Sequence, residues 1–444
     1  MTVPATAPDS RLSLLRARMD DARGLTDSLF AMVQFGALYE RTIPERHRLI
    51  FYLGHLEAFD WNLFARTAGG LPSFHPEFDK LFAFGIDPVD GKLPSDQPSD
   101  WPAVLRVRQY VSRVRSELDG LLSKSPPHPA FADGTLLHVA VEHRLMHAET
   151  LAYLLHQVPY GKKVPIQERL DLRVDSPQPH MVSIPAGMAT LGLPRDSGEF
   201  GWDNEFEQQH VSVPAFRADV YPVTNGQFLS FVREGGYQDR LLWSDGDWEW
   251  RAKENITHPS FWRHDAEAMG DEAWCLRTMF ADISLPLAWP VYVTHAEASA
   301  YARWADKKLP TEAQWHRMAY GTHYGNERPF PWGDEPPREE LGNFDMVNWN
   351  PAPVHAHPNG GSAFGVADLL GNGWEWTSTP FAPLPGFAPF PFYPGYSADF
   401  FDGKHFVMKG GSPRTPAALL RRSFRNWFQP HYPYIYSKFR CVSE

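Results

Sequence analysis

The chain has 444 residues, with 42 Lys and Arg against 53 Asp and Glu, a net charge of −11 that argues against nucleic acid as a general partner. Its 43% hydrophobic and 21% charged residues suit globular domains, two or three at this length. Cys275 and Cys441 are the only cysteines, so no disulfide framework is expected and a reducing cytoplasm is the default compartment. The N-terminal stretch has no apolar signal core, and no run approaches a membrane span, so no membrane partner is expected.

Residues 10–37 place Leu12, Leu14, Leu15, Met19, Leu25, Leu29 and Met32 at helical spacing, with Asp9 or Ser10 able to cap the start. A second helix is predicted after Pro44, through HRLIFYLGHLEAFDWNLFAR, a third from Trp101, and a fourth from near Asp133. Four amphipathic helices predict a four-helix bundle over residues 1–165. The connection over residues 67–100 is long and rich in Pro and Gly, as functional loops often are. Residues 166–179 read as a linker. From 180 to 444 the texture changes to short apolar runs, HMVSIP, ATLGL, HVSVPAF and HFVMKGG, broken by Gly, Pro and Asp. That predicts short strands and long loops, with helices near 224–234, 294–306 and 311–320, an α+β unit. The 16 Trp, 30 Phe and 41 Pro suggest irregular structure pinned by aromatic packing.

Within the fourth helix, VAVEHRLMHAETLAYLLH, His143 and His147 stand four residues apart. On a helix they share one face with Leu136, Val139, Ala140, Met146, Thr150 and Leu154. Two imidazoles so placed point into a core. They are either a ready metal chelate or a pair of histidines satisfied by buried hydrogen bonds.

Seven phrases in the C-terminal region carry a family likeness: IPAGMATLGL, YPVTNGQFLSFV, WPVYVTHAEASAYARWADKKLPTEAQWHRMAYG, PWGDE, FGVADLLGNGWEWTSTPF, VMKGGSPRT and RRSFRNWFQPHYPYIYSKFRCV. Together they resemble the formylglycine-generating/sulfatase-modifying (C-type-lectin-like) fold over residues 180–444. The N-terminal bundle resembles the DinB-like four-helix domain. The two joined resemble the ergothioneine-biosynthesis sulfoxide synthases, non-haem iron enzymes that join sulfur to the imidazole of hercynine (trimethylhistidine) with O2. The resemblance implies Fe(II) held by His55, His143 and His147. His55 shares its helix face with Phe51, Tyr52, Ala58 and Phe59 and so is expected to point inward. A two-histidine, one-carboxylate site using Glu57 or Asp60 is the competing reading, and bundle zinc another.

The resemblance also implies that Asn426 and Trp427 contact hercynine. Three departures concern the donor side. Phe428, followed by Gln429, stands where relatives binding γ-glutamylcysteine carry an acid. Leu384 stands where a proton-donating tyrosine is expected, leaving Tyr393 and Tyr396 as substitutes. Met146 stands where relatives often have Gln. Intact iron ligands with an altered donor side resemble the selenoneine synthase branch, which attaches selenium from a selenosugar to hercynine. Gln429, Tyr432 and the ring of Phe428 suit a sugar. A sulfoxide synthase using cysteine or γ-glutamylcysteine, and a non-catalytic hercynine-binding protein, are the alternatives. A formylglycine-type oxidase needs a reactive cysteine pair, and only Cys275 and Cys441 are present.

Overall fold

The computed structural model describes residues 8–444 apart from 84–92, 125–127, 167, 169, 173–175, 266, 268 and 269. Asp9 and Ser10, expected to cap the first helix, instead fall inside it, since it begins at Pro8. Part of the 67–100 connection and part of the 166–179 linker lie outside what is described. The chain divides into two compact units, Met1–Ile166 and Gln167–Glu444.

The first unit is helical, with α1 (Pro8–Phe30), α2 (Leu49–Trp61), α3 (Pro76–Leu81), α4 (Val104–Ser123), α5 (Pro129–Ala132) and α6 (Thr135–Gln157). The long helix α1 packs on α6 and α2 on α4, while α2 also meets α6. On α4 the buried residues Val104, Val107, Tyr110, Val111, Val114, Leu118 and Leu122 recur at three- and four-residue spacing, the stripe of a surface helix. Helix α2 differs. Every residue from Leu49 to Trp61 except Phe59 is buried, so α2 is covered on all sides, although it carries His55, Glu57 and Asp60. The first helix stops at Phe30, seven residues short of the sequence expectation. There the backbone turns to another partner. The Gln34 N–H donates to the Lys162 carbonyl (2.9 Å) and the Val164 N–H to the Met32 carbonyl (2.7 Å).

Among its described residues the second unit holds twelve strands in four sheets. These are β1 (Met181–Ile184), β2 (Gly187–Leu191), β3 (Gln209–Val213), β4 (Phe216–Asp219), β5 (Trp262–His264), β6 (Trp274–Arg277), β7 (Asp282–Ser284), β8 (Trp374–Pro380), β9 (Phe406–Lys409), β10 (Asn426–Phe428), β11 (Ser437–Lys438) and β12 (Val442–Ser443). The sheet orders are β1-β4-β12, β10-β9-β8-β11, β2-β3 and β5-β6-β7. Among the described residues the α-helices α7 (Asn225–Arg233), α8 (Asp245–Lys253), α9 (His295–Trp304) and α10 (Glu312–Tyr320) interrupt them. The starts of α7, α9 and α10 follow from one local rule. Thr224 with Gln227, Thr294 with Glu297 and Thr311 with Gln314 each form a capping box, satisfying two backbone N–H groups reciprocally. Helix α8 is absent from the sequence expectation because it buries none of its residues and so shows no apolar stripe.

The core of this unit gathers Ile184, Phe216, Trp315, Met318, Val366 and Leu369. Its buried tryptophans keep their N–H groups satisfied, as large amphipathic rings must. Trp315 donates to Glu375 (3.0 Å), Trp376 to the Val293 carbonyl (2.9 Å) and Trp262 to Asn225 (3.2 Å). The Trp289 N–H donates to the Asp171 carbonyl (2.7 Å), tying part of the predicted linker to this unit. At the centre, Arg440 grips Glu375 with two bonds (2.8 and 2.6 Å), both side chains fully buried. Asn372, inside the GNGWEW phrase, bonds Ala352 through both its amide nitrogen (2.9 Å) and its oxygen (2.7 Å). The phrase is scaffold.

Replacing Arg440 by Leu removes both guanidinium bonds from the buried Glu375 carboxylate, leaving it the Trp315 N–H and the more distant Lys438 (3.8 Å), and the second unit is expected to lose about 3–5 kcal/mol of stability. All tryptophans except Trp61 and Trp101 lie in this unit, so denaturant unfolding followed by tryptophan fluorescence measures the loss.

Candidate metal centre

Three histidines meet inside the helical unit. His55 comes from the middle of α2, and His143 and His147 from successive turns of α6. One ring nitrogen of each lies within 4.8 Å of the others, and all three side chains are buried. The ring centroids stand 5.4 Å (His55–His143), 4.9 Å (His55–His147) and 4.5 Å (His143–His147) apart. Each ring is braced. His55 Nδ1 lies 2.7 Å from the Phe82 carbonyl, and a carbonyl only accepts, so Nδ1 carries the proton and Nε2 keeps its lone pair. Its ring also stacks on Phe51 (4.8 Å, 21°). His143 stacks flat on Phe59 (3.5 Å, 11°), and Tyr52 stands 5.9 Å from His147.

Burial disfavours the charged imidazolium in all three. It drives His55 down to about 4, against the bond to Phe82, and holds His143 and His147 well below the ordinary range, helped by their mutual proximity. Three converging neutral imidazoles are the donor set that divalent transition metals take. Ligands on opposite sides of an ion, each about 2.1 Å from it, stand about 4.2 Å apart. The observed spread therefore closes round one ion with small side-chain shifts. The carboxylates offered as competitors are committed elsewhere. Arg144 bonds both oxygens of Glu57 (3.1 and 2.9 Å) and one of Asp60 (2.6 Å). Arg144 and Arg115 hold the Glu57 carboxyl below its usual range although burial raises it.

The other predicted site residues separate. Met146 lies half-buried on α6 beside His147. In the second unit, β10 turns Trp427 to one face, where it stacks on Phe381 (4.2 Å, 8°) with the Tyr396 ring 5.6 Å away. Tyr396 lies flat on Trp202 (3.9 Å), and Tyr393 stands 5.6 Å from Tyr396. Phe428 and Asn426 are offset by one from Trp427, hence on the opposite face of the strand. Phe428 stacks on Tyr432 (5.2 Å, 15°), and Asn426 Oδ1 accepts the Trp427 N–H (2.9 Å). Gln429 is exposed, and its carbonyl accepts the Tyr432 N–H (3.3 Å). Tyr393, Tyr396 and Trp427 thus form one aromatic cluster, and Phe428 and Tyr432 another. Leu384, in the place expected for a tyrosine, is buried. Cys441, just before β12, is fully buried, with burial raising its thiol pKa, and Cys275 lies on β6. Neither presents the reactive pair of a formylglycine-type oxidase.

Sequence reasoning passed over Arg144 and Phe82, and placed Phe59 on the face of His55 without its stacking on His143. A signal for the first existed. Glu57 and Asp60 are the two acids of a helix that is otherwise apolar apart from His55, and buried charges need partners such as Arg144. The roles of Phe82 and Phe59 depend on tertiary contact and leave no such trace.

Residues 168–444 match the sulfatase-modifying factor enzyme 1-like domain. A hercynine oxygenase of Mycobacterium tuberculosis is 35% identical over 341 residues, covering 76% of this chain and 77% of that protein. Ergothioneine biosynthesis protein 1 of Neurospora crassa is 31% identical over 487 residues, covering 92% of this chain and 55% of that protein. Among solved structures, PvdO from Pseudomonas aeruginosa superposes with a TM-score of 0.41 at 20% identity, over 60% of this chain and 94% of that one. The chain belongs to the sulfatase-modifying factor enzyme 1-like family and, within it, to the hercynine oxygenases, and it is an enzyme. Among the described residues, no helix is long and apolar enough to cross a membrane.

Gly54 precedes His55, and a Cβ there would stand 2.5–2.6 Å from ring carbons of buried Phe82. Gly54→Ala is expected to displace Phe82, with the carbonyl that orients His55, and to cost about 1–3 kcal/mol. Far-UV circular dichroism melts and metal uptake measure the two effects.

Proposed function

We propose that this enzyme forms a carbon–sulfur bond to the imidazole of hercynine, with O2 as oxidant, a thiol such as cysteine or γ-glutamylcysteine as donor, and Fe(II) held by His55, His143 and His147. The observation that carries the reading is the buried cluster of three neutral imidazoles in a chain related over most of its length to hercynine oxygenases. The reaction balances without an added reductant. An imidazole C–H and the thiol S–H give up their hydrogens to water with one oxygen atom, and the other oxygen ends on sulfur as the sulfoxide. Fe(II), held by these three imidazoles, would supply the oxygen chemistry.

The chain's own residues do the holding. The Phe82 carbonyl fixes the tautomer of His55, and the Phe59 ring fixes the plane of His143, so the donor atoms are preorganised. Within the second unit, Asn426 and Trp427 serve the acceptor, whose trimethylammonium suits an aromatic face, and Tyr393 or Tyr396 serves as proton source. The helical unit is assigned to the DinB-like bundles on its sequence resemblance.

A second reading keeps the acceptor and replaces the thiol by a selenosugar, forming a carbon–selenium bond. One observation favours it. Phe428, where an acid would meet a thiol peptide, stacks with Tyr432 and offers a flat ring and no charge. The names of the relatives favour sulfur.

The test is turnover of hercynine with Fe(II), O2 and one donor at a time. Sulfoxide from a thiol supports the first reading. Product from the selenosugar alone moves the assignment to the second, and product from neither refutes both. His147→Ala is expected to lower bound iron and abolish product, and unchanged turnover would refute the ligand assignment. Phe428→Asp is expected to lower KM for γ-glutamylcysteine.

A further inference from the structure

The helical unit contains a run of ion pairs, buried at Arg144, Glu57 and Asp60 and open to solvent at Asp27, that touches its four long helices. Arg144 on α6 grips Glu57 on α2 through both its oxygens (3.1 and 2.9 Å) and reaches Asp60 one turn on (2.6 Å). Glu57 also accepts from Arg115 of α4 (2.9 Å), and Arg115 forks onto both oxygens of Asp27 on α1 (2.7 and 2.8 Å). Arg144, Glu57 and Asp60 are each no more than 1% exposed.

This cluster is poorly arranged for stability alone. One guanidinium serves two carboxylates, and neither Arg144 Nε nor Asp60 Oδ1 has a hydrogen-bond partner among the described residues. Apolar side chains of equal volume would fill the site at no worse cost. A buried bidentate pair does offer geometric definition, because the planar fork meets the carboxylate in few orientations.

The definition falls where the histidines need it. Arg144 adjoins His143 in sequence, and Glu57 is two residues from His55. At about 100° per residue, Glu57 lies about 160° around α2 from His55 and Asp60 about 140°. On α2 the carboxylates and His55 therefore lie on nearly opposite sides, while on α6 Arg144 stands about 100° from His143 and about 60° from His147. Turning α6 to ease one grip strains the other. A slip of one residue would move α6 by about 1.5 Å and turn it by about 100°, breaking both.

We propose that Arg144 is a positioning residue. Its buried pairing with Glu57 and Asp60 sets the rotation and register of α6 against α2, and so brings His143 and His147 to His55 at metal-binding distance. This rests on the reading of the three histidines as a metal site. Loss of such supporting contacts behind metal ligands costs about 10–100-fold in affinity.

The test titrates Co(II) into the metal-free full-length protein, reading affinity, the visible ligand-field spectrum and helix content. Arg144→Met keeps length and apolar volume. It is expected to retain helix content, bind Co(II) about 10–100-fold more weakly and give an altered spectrum. Arg144→Lys keeps the charge without the fork and should fall between. Should Arg144→Met fail to fold, the double variant Glu57→Gln with Asp60→Asn removes the charges at nearly constant shape, and the same weakening is expected. Co(II) bound with unchanged affinity and spectrum by a folded variant overturns the proposal. A wild-type protein that binds no Co(II) overturns the metal reading itself, so the two failures are told apart.

Discussion

In each unit a buried arginine grips a buried glutamate with both arms, and much of the surrounding structure is arranged around that contact. Arg144 with Glu57 joins α6 to α2 in the helical unit, and Arg440 with Glu375 joins the C-terminal segment to β8 in the second. Neither pair is free of cost, since each takes two charges out of water. What each supplies is geometry. A guanidinium fork accepts a carboxylate in few orientations, whereas apolar contacts tolerate sliding. Around Arg440 the definition organises an irregular domain whose strands are short, β11 and β12 having two residues each. Around Arg144 it lies one residue from a candidate ligand.

The histidine cluster shows how a helical unit builds a polar site inside an apolar one. Helix α2 is buried nearly all round, so His55 is kept neutral by its surroundings rather than by a neighbouring charge. Aromatic rings and a carbonyl brace the imidazoles, and the nearby carboxylates are drawn off by arginines. The result is a set of neutral nitrogen donors with no acid among them. That distinguishes this site from the two-histidine, one-carboxylate alternative, although Glu57 is only two residues from His55.

The residues expected to handle substrate fall on two faces of β10. Trp427 joins Tyr393 and Tyr396, whereas Phe428 joins Tyr432. Alternation along a strand explains the division, since neighbours in sequence point to opposite sides. A stretch that reads as one binding segment, NWFQPHY, thus presents two chemically different surfaces. The acceptor and donor assignments are separable for that reason, and family membership alone does not carry the choice between sulfur and selenium.

Local rules made much of this protein legible in its sequence. Threonine followed three residues later by Gln or Glu marked three helix starts, the apolar runs near 181, 188, 210 and 407 became strands, and the spacing of His143 and His147 put two imidazoles on one helix face. These patterns depend on residues within a turn or a strand of one another, so a single segment contains them. The end of α1, the surface helix α8, the seat of His55 beside the Phe82 carbonyl and the commitment of Glu57 and Asp60 to Arg144 required the folded chain. Each joins residues far apart in sequence or, as in α8, buries nothing that would leave a pattern. The sequence alone determined which residues could donate to a metal, through the chemistry of histidine and its helical spacing. Only the tertiary structure decided that three of them meet, because their convergence depends on how α2 and α6 are turned against each other.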